Sequence, residues 1–190
     1  MRYFSSVTTS AARSVAPAPP AADEFNPYYG KYISLVTASD LLANMEAQLR
    51  DFSAILSPLS ETDADLRYAP DKWSIKELFG HVIDTERIFA YRALRISRND
   101  STPLPGFEQD DYVRSSPAAR SPLAALLEEF GYVRNSNLSL FKNLDQDAWM
   151  RRGTASGYTV TVRALAYIIV GHVSHHRNIL EQRYFPLLGR

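Results

Sequence analysis

The chain has 190 residues, 45% of them hydrophobic and 22% charged, the balance of an ordinary globular domain able to bury a sizeable core. Its 21 basic and 21 acidic residues cancel, so no net field draws it to nucleic acid or to an anionic membrane surface. The absence of cysteine excludes disulfides, a thiolate nucleophile and thiolate metal ligands, and leaves nitrogen and oxygen as the donors for any metal.

Residues 1–26 are rich in Ala, Ser and Pro and carry no acid before Asp23, which predicts a disordered tail. No apolar stretch follows the basic start, so a secretory signal is excluded, and a faint likeness to an organelle transit peptide is the alternative to a plain tail. Residues 27–190 are expected to form one helical domain. The longest apolar run, residues 164–173, contains His172 and falls far short of the roughly 20 residues a membrane helix needs. A cytoplasmic location without membrane attachment is expected.

The first long helix is predicted from Ser39 or Asp40, either a good cap, to about Leu56, with Leu41, Met45, Leu49, Phe52 and Leu56 as its apolar stripe and Pro58 as its stop. Residues 68–73 are a turn-rich connection. Ser74 and Glu77 then form a capping box that opens a second helix running to about Arg98. Along it Leu78, His81, Thr85, Ile88 and Arg92 recur at spacings of three and four, so His81 shares a face with apolar residues. Asp84, on the adjoining edge, could accept the second N–H of a histidine or stand as a solvated surface acid.

Residues 99–120 read as a long loop, unusual in a compact bundle. Phe107 and Tyr112 are its expected apolar anchors and Glu108, Asp110 and Asp111 its solvated residues, against the alternative of a mobile surface loop. Ser121 and Pro122 start a third helix to about Leu144. Residues 149–158 look irregular and glycine-bearing, and Thr161 caps a last helix to about Tyr184, with Pro186 beyond it.

Three of the four histidines, His172, His175 and His176, lie in that last helix. His172 and His176 are four residues apart, one turn, the spacing with which two imidazoles of one helix hold a metal ion. His81 could supply a third imidazole from a neighbouring helix and leave coordination positions open, as in catalytic zinc sites. The competing reading of such a pair is histidines solvated on a polar face or hydrogen-bonded in a core. Leu165, Ile168, Ile169, Ile179 and Leu180 turn the pair inward, where imidazoles need partners.

His81 lies about 10 Å inside the start of its helix, and His176 about 12 Å from the end of its own. For the ligands to meet, the second and fourth helices should run antiparallel. A simple up-down-up-down bundle would make them parallel, so one connection would cross the bundle's length. The segment 99–120 is the candidate crossover.

Three separated stretches resemble the DinB-like superfamily of metal-dependent proteins. They are the run from Lys72-Trp73-Ser74 through His81, Asp84 and Arg87, the Pro103-Leu104-Pro105-Gly106-Phe107 loop, and Gly171-His172 through Arg177 with Arg183-Tyr184. The resemblance covers about residues 38–186 and keeps the family's order. It implies an all-α four-helix bundle of up-down-down-up topology and a divalent metal held at His81, His172 and His176. Zinc is the default ion, with nickel or iron as alternatives. Relatives include thiol-dependent S-transferases, thiol-dependent isomerases and proteins labelled hydrolases. The implied function is therefore a metal-dependent hydrolase or small-thiol transferase acting on a small molecule.

Three neutral imidazoles leave the ion's charge uncompensated, so a bound water would ionise near pH 7 and a bound thiol would lose its proton. Any thiol must come from a low-molecular-weight cosubstrate. Asp84 and His175, the histidine extra to the family triad, are the candidate catalytic bases. The alternative is a non-catalytic metal-binding or dimerisation scaffold, which a fourth protein ligand would favour. A homodimer is expected from the resemblance and from the 11 Tyr and 9 Phe, more than one bundle core needs.

Overall fold

The structure, a computed structural model, describes residues 17–37 and 40–190. Four long helices dominate it: α1 Leu41–Leu56, α2 Ile75–Ser97, α3 Leu123–Lys142 and α4 Val162–Ile179. Their starts use the predicted chemistry. The Asp40 carboxylate accepts the Leu42 and Ala43 N–H groups, Ser74 and Glu77 cap α2 reciprocally, and Thr161 accepts the N–H of Ala164. At α3, Pro122 has no side chain to cap with, and Glu61 accepts the Leu123 N–H from another segment instead.

The core falls into two apolar clusters. One joins Leu41 and Met45 of α1 and Leu165 and Ile169 of α4 to Phe89 and Ile96 of α2 and Phe141 of α3. The other joins Phe52 and Leu56 of α1 and Val173 of α4 to Ile75 and Phe79 of α2 and Leu126 and Phe130 of α3. The beginnings of α1 and α4 thus share an end of the bundle with the finishes of α2 and α3. The ion pairs Glu46–Lys142, which joins α1 to α3, and Asp51–Arg177, which joins α1 to α4, lie on this pattern. The order is up-down-down-up, with α2 and α4 antiparallel as the histidine depths suggest.

Because α2 and α3 run the same way, residues 98–122 must return along the bundle. Leu104 bridges to Ala155, exchanging backbone hydrogen bonds with Thr154 and Ser156 at 2.9 Å. The Arg92 guanidinium donates to the Pro105 carbonyl at 2.7 Å. A short helix, Gln109–Ser115, follows, and Ala118 then packs on Gly80, where a Cβ would lie 2.4 Å from the alanine methyl. The segment is held along its path and is not a free loop. Its anchors are Leu104, Val113 and Ala118; Phe107 is half-buried and Tyr112 exposed. Tyr112 misses the anchoring role because the 109–115 segment is helical, and a helix turns its neighbour Val113 about 100° away, toward the bundle.

Between α3 and α4 the expected irregular stretch contains a helical turn, Gln146–Met150, and a hairpin of β1 Arg152–Ala155 with β2 Tyr158–Thr161. Its two turn residues, Ser156 and Gly157, both have positive φ (52° and 80°), the conformation of a type I′ turn.

The tail expected over residues 1–26 lies outside the described residues through residue 16. From residue 17 the chain runs against α4, beginning with the Pro17 carbonyl, which accepts from the Tyr167 hydroxyl at 3.0 Å. Glu24 is buried, accepts from the Thr161 hydroxyl at 2.8 Å and pairs with Arg163 at the start of α4. The Gly30–Ile33 helical turn lies further along α4, with the Tyr32 carbonyl over Gly171. A Cβ at Gly171 would stand 2.0 Å from that oxygen, so the glycine permits the approach. Residues 22–33 form a strap along α4, and it reaches the level of the histidines.

Candidate metal centre

The antiparallel packing of α2 and α4 brings His81 against His172 and His176. The Nε2 atom of His172 is 3.1 Å from that of His81 and 3.0 Å from that of His176. All three side chains are buried. One donor atom from each lies within 4.8 Å of the others.

Burial pushes the His81 imidazole down to about 4 and holds those of His172 and His176 well below their usual range, with the facing imidazoles adding to the effect. All three are neutral at pH 7, the form that donates a lone pair. The Nε2 of His172 has one lone pair or one proton to offer two neighbours at once, so mutual hydrogen bonding leaves the cluster short. A cation takes all three pairs. Bonds of 2.0–2.1 Å would place ligand nitrogens about 3.3 Å apart, near the spacing observed. The donor set fits a divalent metal.

Around this floor, the Thr85 hydroxyl is 3.4 Å from His81 Nδ1, while His176 Nδ1 is buried and has no hydrogen-bond partner among the described residues. The Trp73 ring lies 4.9 Å from that of His81, and Tyr32 packs edge-on to His172 and His175 at 5.3 and 5.1 Å. Two clefts open over the centre. One, of 510 Å³, is reached past Lys31, Trp73, His175 and His176; the other, of 290 Å³, past Thr85, Phe107, His81 and His172. Tyr28, Tyr32, Gln109 and Asp110 border both, so the strap and the crossover together frame the opening.

The candidate bases separate. His175 is half-buried, 5.1 Å ring to ring from Tyr32, and borders the larger cleft. Asp84 borders neither cleft; it faces Arg87 at 3.6 Å, and Arg87 in turn pairs with Glu129 of α3. The position beside His81 belongs to Thr85, one full turn on, which the i, i+4 rule picks out. No local pattern marks Tyr28, Lys31, Tyr32 or Asp110, which join the site through chain segments remote in sequence.

Fold and site together define a helical bundle that carries a three-histidine candidate metal centre between two of its helices. Residues 44–180 match the DinB superfamily, and the chain belongs to it. The fold is that of YfiT from Bacillus subtilis, described as a probable metal-dependent hydrolase with an unusual four-helix bundle topology. The two share 12% identity at a TM-score of 0.69, over 88% of this chain and 92% of that one. A mycothiol-dependent maleylpyruvate isomerase shares the fold at 15% identity and a TM-score of 0.60, over 72% of this chain and 58% of that one. No curated protein sequence matches the chain. The strap lies ahead of the residues that match the family.

Proposed function

We propose that the protein is a metal-dependent enzyme acting on a small molecule, a hydrolase or a transferase of a low-molecular-weight thiol, with His81, His172 and His176 holding the ion. One observation carries this reading. Three buried Nε2 atoms converge beneath open clefts, and among the described residues no fourth histidine or carboxylate joins the group. A purely structural centre would be closed by a fourth ligand. When bound, the ion would supply Lewis acidity that brings the ionisation of a water or a thiol toward neutral pH.

The chain's own residues do the rest. Tyr32 and Trp73 shield the floor and keep the imidazoles desolvated and neutral, and Thr85 orients His81. His175, at the mouth of the larger cleft, is positioned as general base, whereas Asp84 is committed to Arg87. Having no cysteine, the protein would take its thiol from solution. Zinc is the default ion for three imidazoles. Among the described residues no helix is long and apolar enough to cross a membrane.

Tyr91, Tyr132 and Tyr158 are exposed and support a homodimer, which light scattering at micromolar concentration would refute by returning a monomer. The function itself is tested by metal analysis followed by a screen of small thiols against electrophiles beside a panel of esters and amides. Turnover that a chelator removes is expected. Stoichiometric metal without turnover on either panel would favour the non-catalytic scaffold.

A further inference from the structure

Between the two apolar clusters lies a layer of polar side chains that no cleft explains. Arg134 of α3 is fully buried, and its ion-pair partner Glu86 of α2 is 1% exposed at the side chain. The Arg134 guanidinium donates to Glu86 at 2.7 Å, to the Met45 carbonyl at 3.2 Å and to Gln48 Oε1 at 3.0 Å. Asn137 donates to the other Glu86 oxygen at 3.2 Å. Gln48 Nε2 then donates to the Val170 carbonyl at 2.8 Å and to the Ser174 hydroxyl at 3.0 Å. An arginine is a donor alone, so Gln48 must turn its oxygen toward Arg134 and its amide toward α4.

A buried ion pair is a weak source of stability, since taking two charges out of water costs about as much as their attraction returns. Its position offers another use. Val170 and Ser174 sit two residues either side of His172, and Glu86 follows His81 by five residues on α2. The chain Glu86–Arg134–Gln48–Val170 therefore ties the helix of one candidate ligand to the helix of the other two, by directional bonds that pass through α3 and α1. Apolar burial is non-directional, whereas hydrogen bonds between helices select one rotation of each. A side-chain atom about 5–6 Å from that axis moves about 1 Å for each 10° of rotation. Metal sites tolerate about half that error before affinity falls.

We infer that Gln48, Glu86 and Arg134 are positioning residues of the histidine centre: they fix the rotation of α2 and α4 so that the three Nε2 atoms meet. The inference rests on the reading of that centre as a metal site. It goes further in assigning a role in metal affinity to residues that touch neither the ion nor the clefts.

The test uses two variants of the full chain, Gln48→Met and the paired Glu86→Met/Arg134→Met, each replacing polar groups by an apolar side chain of similar length. Metal-free thermal midpoints are measured first, then Co(II) is titrated and its visible spectrum recorded. The paired variant is expected to remain folded, because both buried charges are removed together and only the neutral groups of Met45, Gln48 and Asn137 lose a partner. Both variants should bind Co(II) about 10–100-fold more weakly, the usual loss when the groups behind metal ligands are removed, with a changed ligand-field spectrum. Parental affinity and spectrum in a folded paired variant would overturn the inference and leave the metal reading intact. So would a loss of affinity that merely tracks a lowered midpoint. A parent chain that binds no Co(II) would overturn the metal reading and this inference with it.

Discussion

His175 and His176 are neighbours on α4 with opposite surroundings. One hundred degrees of helix turn carries His176 into the centre, 3.0 Å from His172, and leaves His175 half-buried on the Tyr32 ring at the mouth. Replacing a converging ligand removes one of three donors, whereas replacing the neighbour removes none. His81→Ala and His176→Ala are each expected to abolish stoichiometric divalent metal, and His175→Ala to retain it, by elemental analysis of the purified variants. Metal at the parental level in His81→Ala would dismantle the triad. The pair on α4 and the solitary His81 are legible in the sequence because a ligand pair on one helix is a local pattern. Asp84 faces Arg87 of its own helix, and Arg87 in turn pairs with Glu129 of α3, contacts that the local sequence pattern does not record.

At the scale of elements, the strap and the crossover both depend on contacts remote in sequence. Arg163 above all holds the Glu24 carboxyl down to about 2 from an ordinary 4.5, helped by the Ala21 N–H and the Thr161 hydroxyl against the opposing effect of burial. A carboxyl depressed on folding stabilises the docked strap fully above about 4.5 and loses that contribution as the pH falls toward about 2. The protection of residues 22–33 against hydrogen exchange, relative to the intrinsic rate at each pH, should therefore fall across that window. Glu24→Gln should exchange fast at neutral pH already. A strap whose protection is flat through the window would show that the ion pair does not hold it.

The crossover runs from the finish of α2 back to Gly80 near its start, a distance of roughly 24 Å along the helix. Deleting residues 103–110 removes the Leu104 bridge to the hairpin, the Pro105 carbonyl that accepts from Arg92 and the start of the Gln109–Ser115 helix, so the segment loses the contacts that hold its path. The expected loss is above about 2 kcal/mol, rather than the few tenths that shortening a slack loop would cost. An unchanged denaturation midpoint with full metal content would argue that the path is not needed. Length exposed this crossover in the sequence, but its anchors were misassigned in part. Tyr112 stays exposed because the short helix turns Val113 inward, and the packing of that helix against α2 leaves no local pattern.

For the whole molecule, a ligand that binds the folded chain and not the unfolded one raises stability by about 2.7 kcal/mol at one hundred times its dissociation constant. For a chain of this size that is roughly 5–10 °C of thermal midpoint. Added zinc should raise the midpoint by that order, a chelator should reverse it, and His81→Ala should show neither effect. A midpoint indifferent to zinc in the parent would contradict a metal site that joins α2 to α4.

Helix starts, the four-helix class and the histidine face are legible without the fold, because caps and periodicity depend on residues three or four apart. The depth of the histidines even constrained topology, since ligands at fixed heights can meet in few arrangements. Tertiary structure alone decided what frames and aligns the site: Tyr32 over Gly171, Asp110 across from the strap, and Gln48 reaching the Val170 carbonyl 122 residues away. Such pairs carry no period and no spacing rule. They exist because the chain's path around the bundle brings their segments together, and that path is set by the summed packing of all four helices.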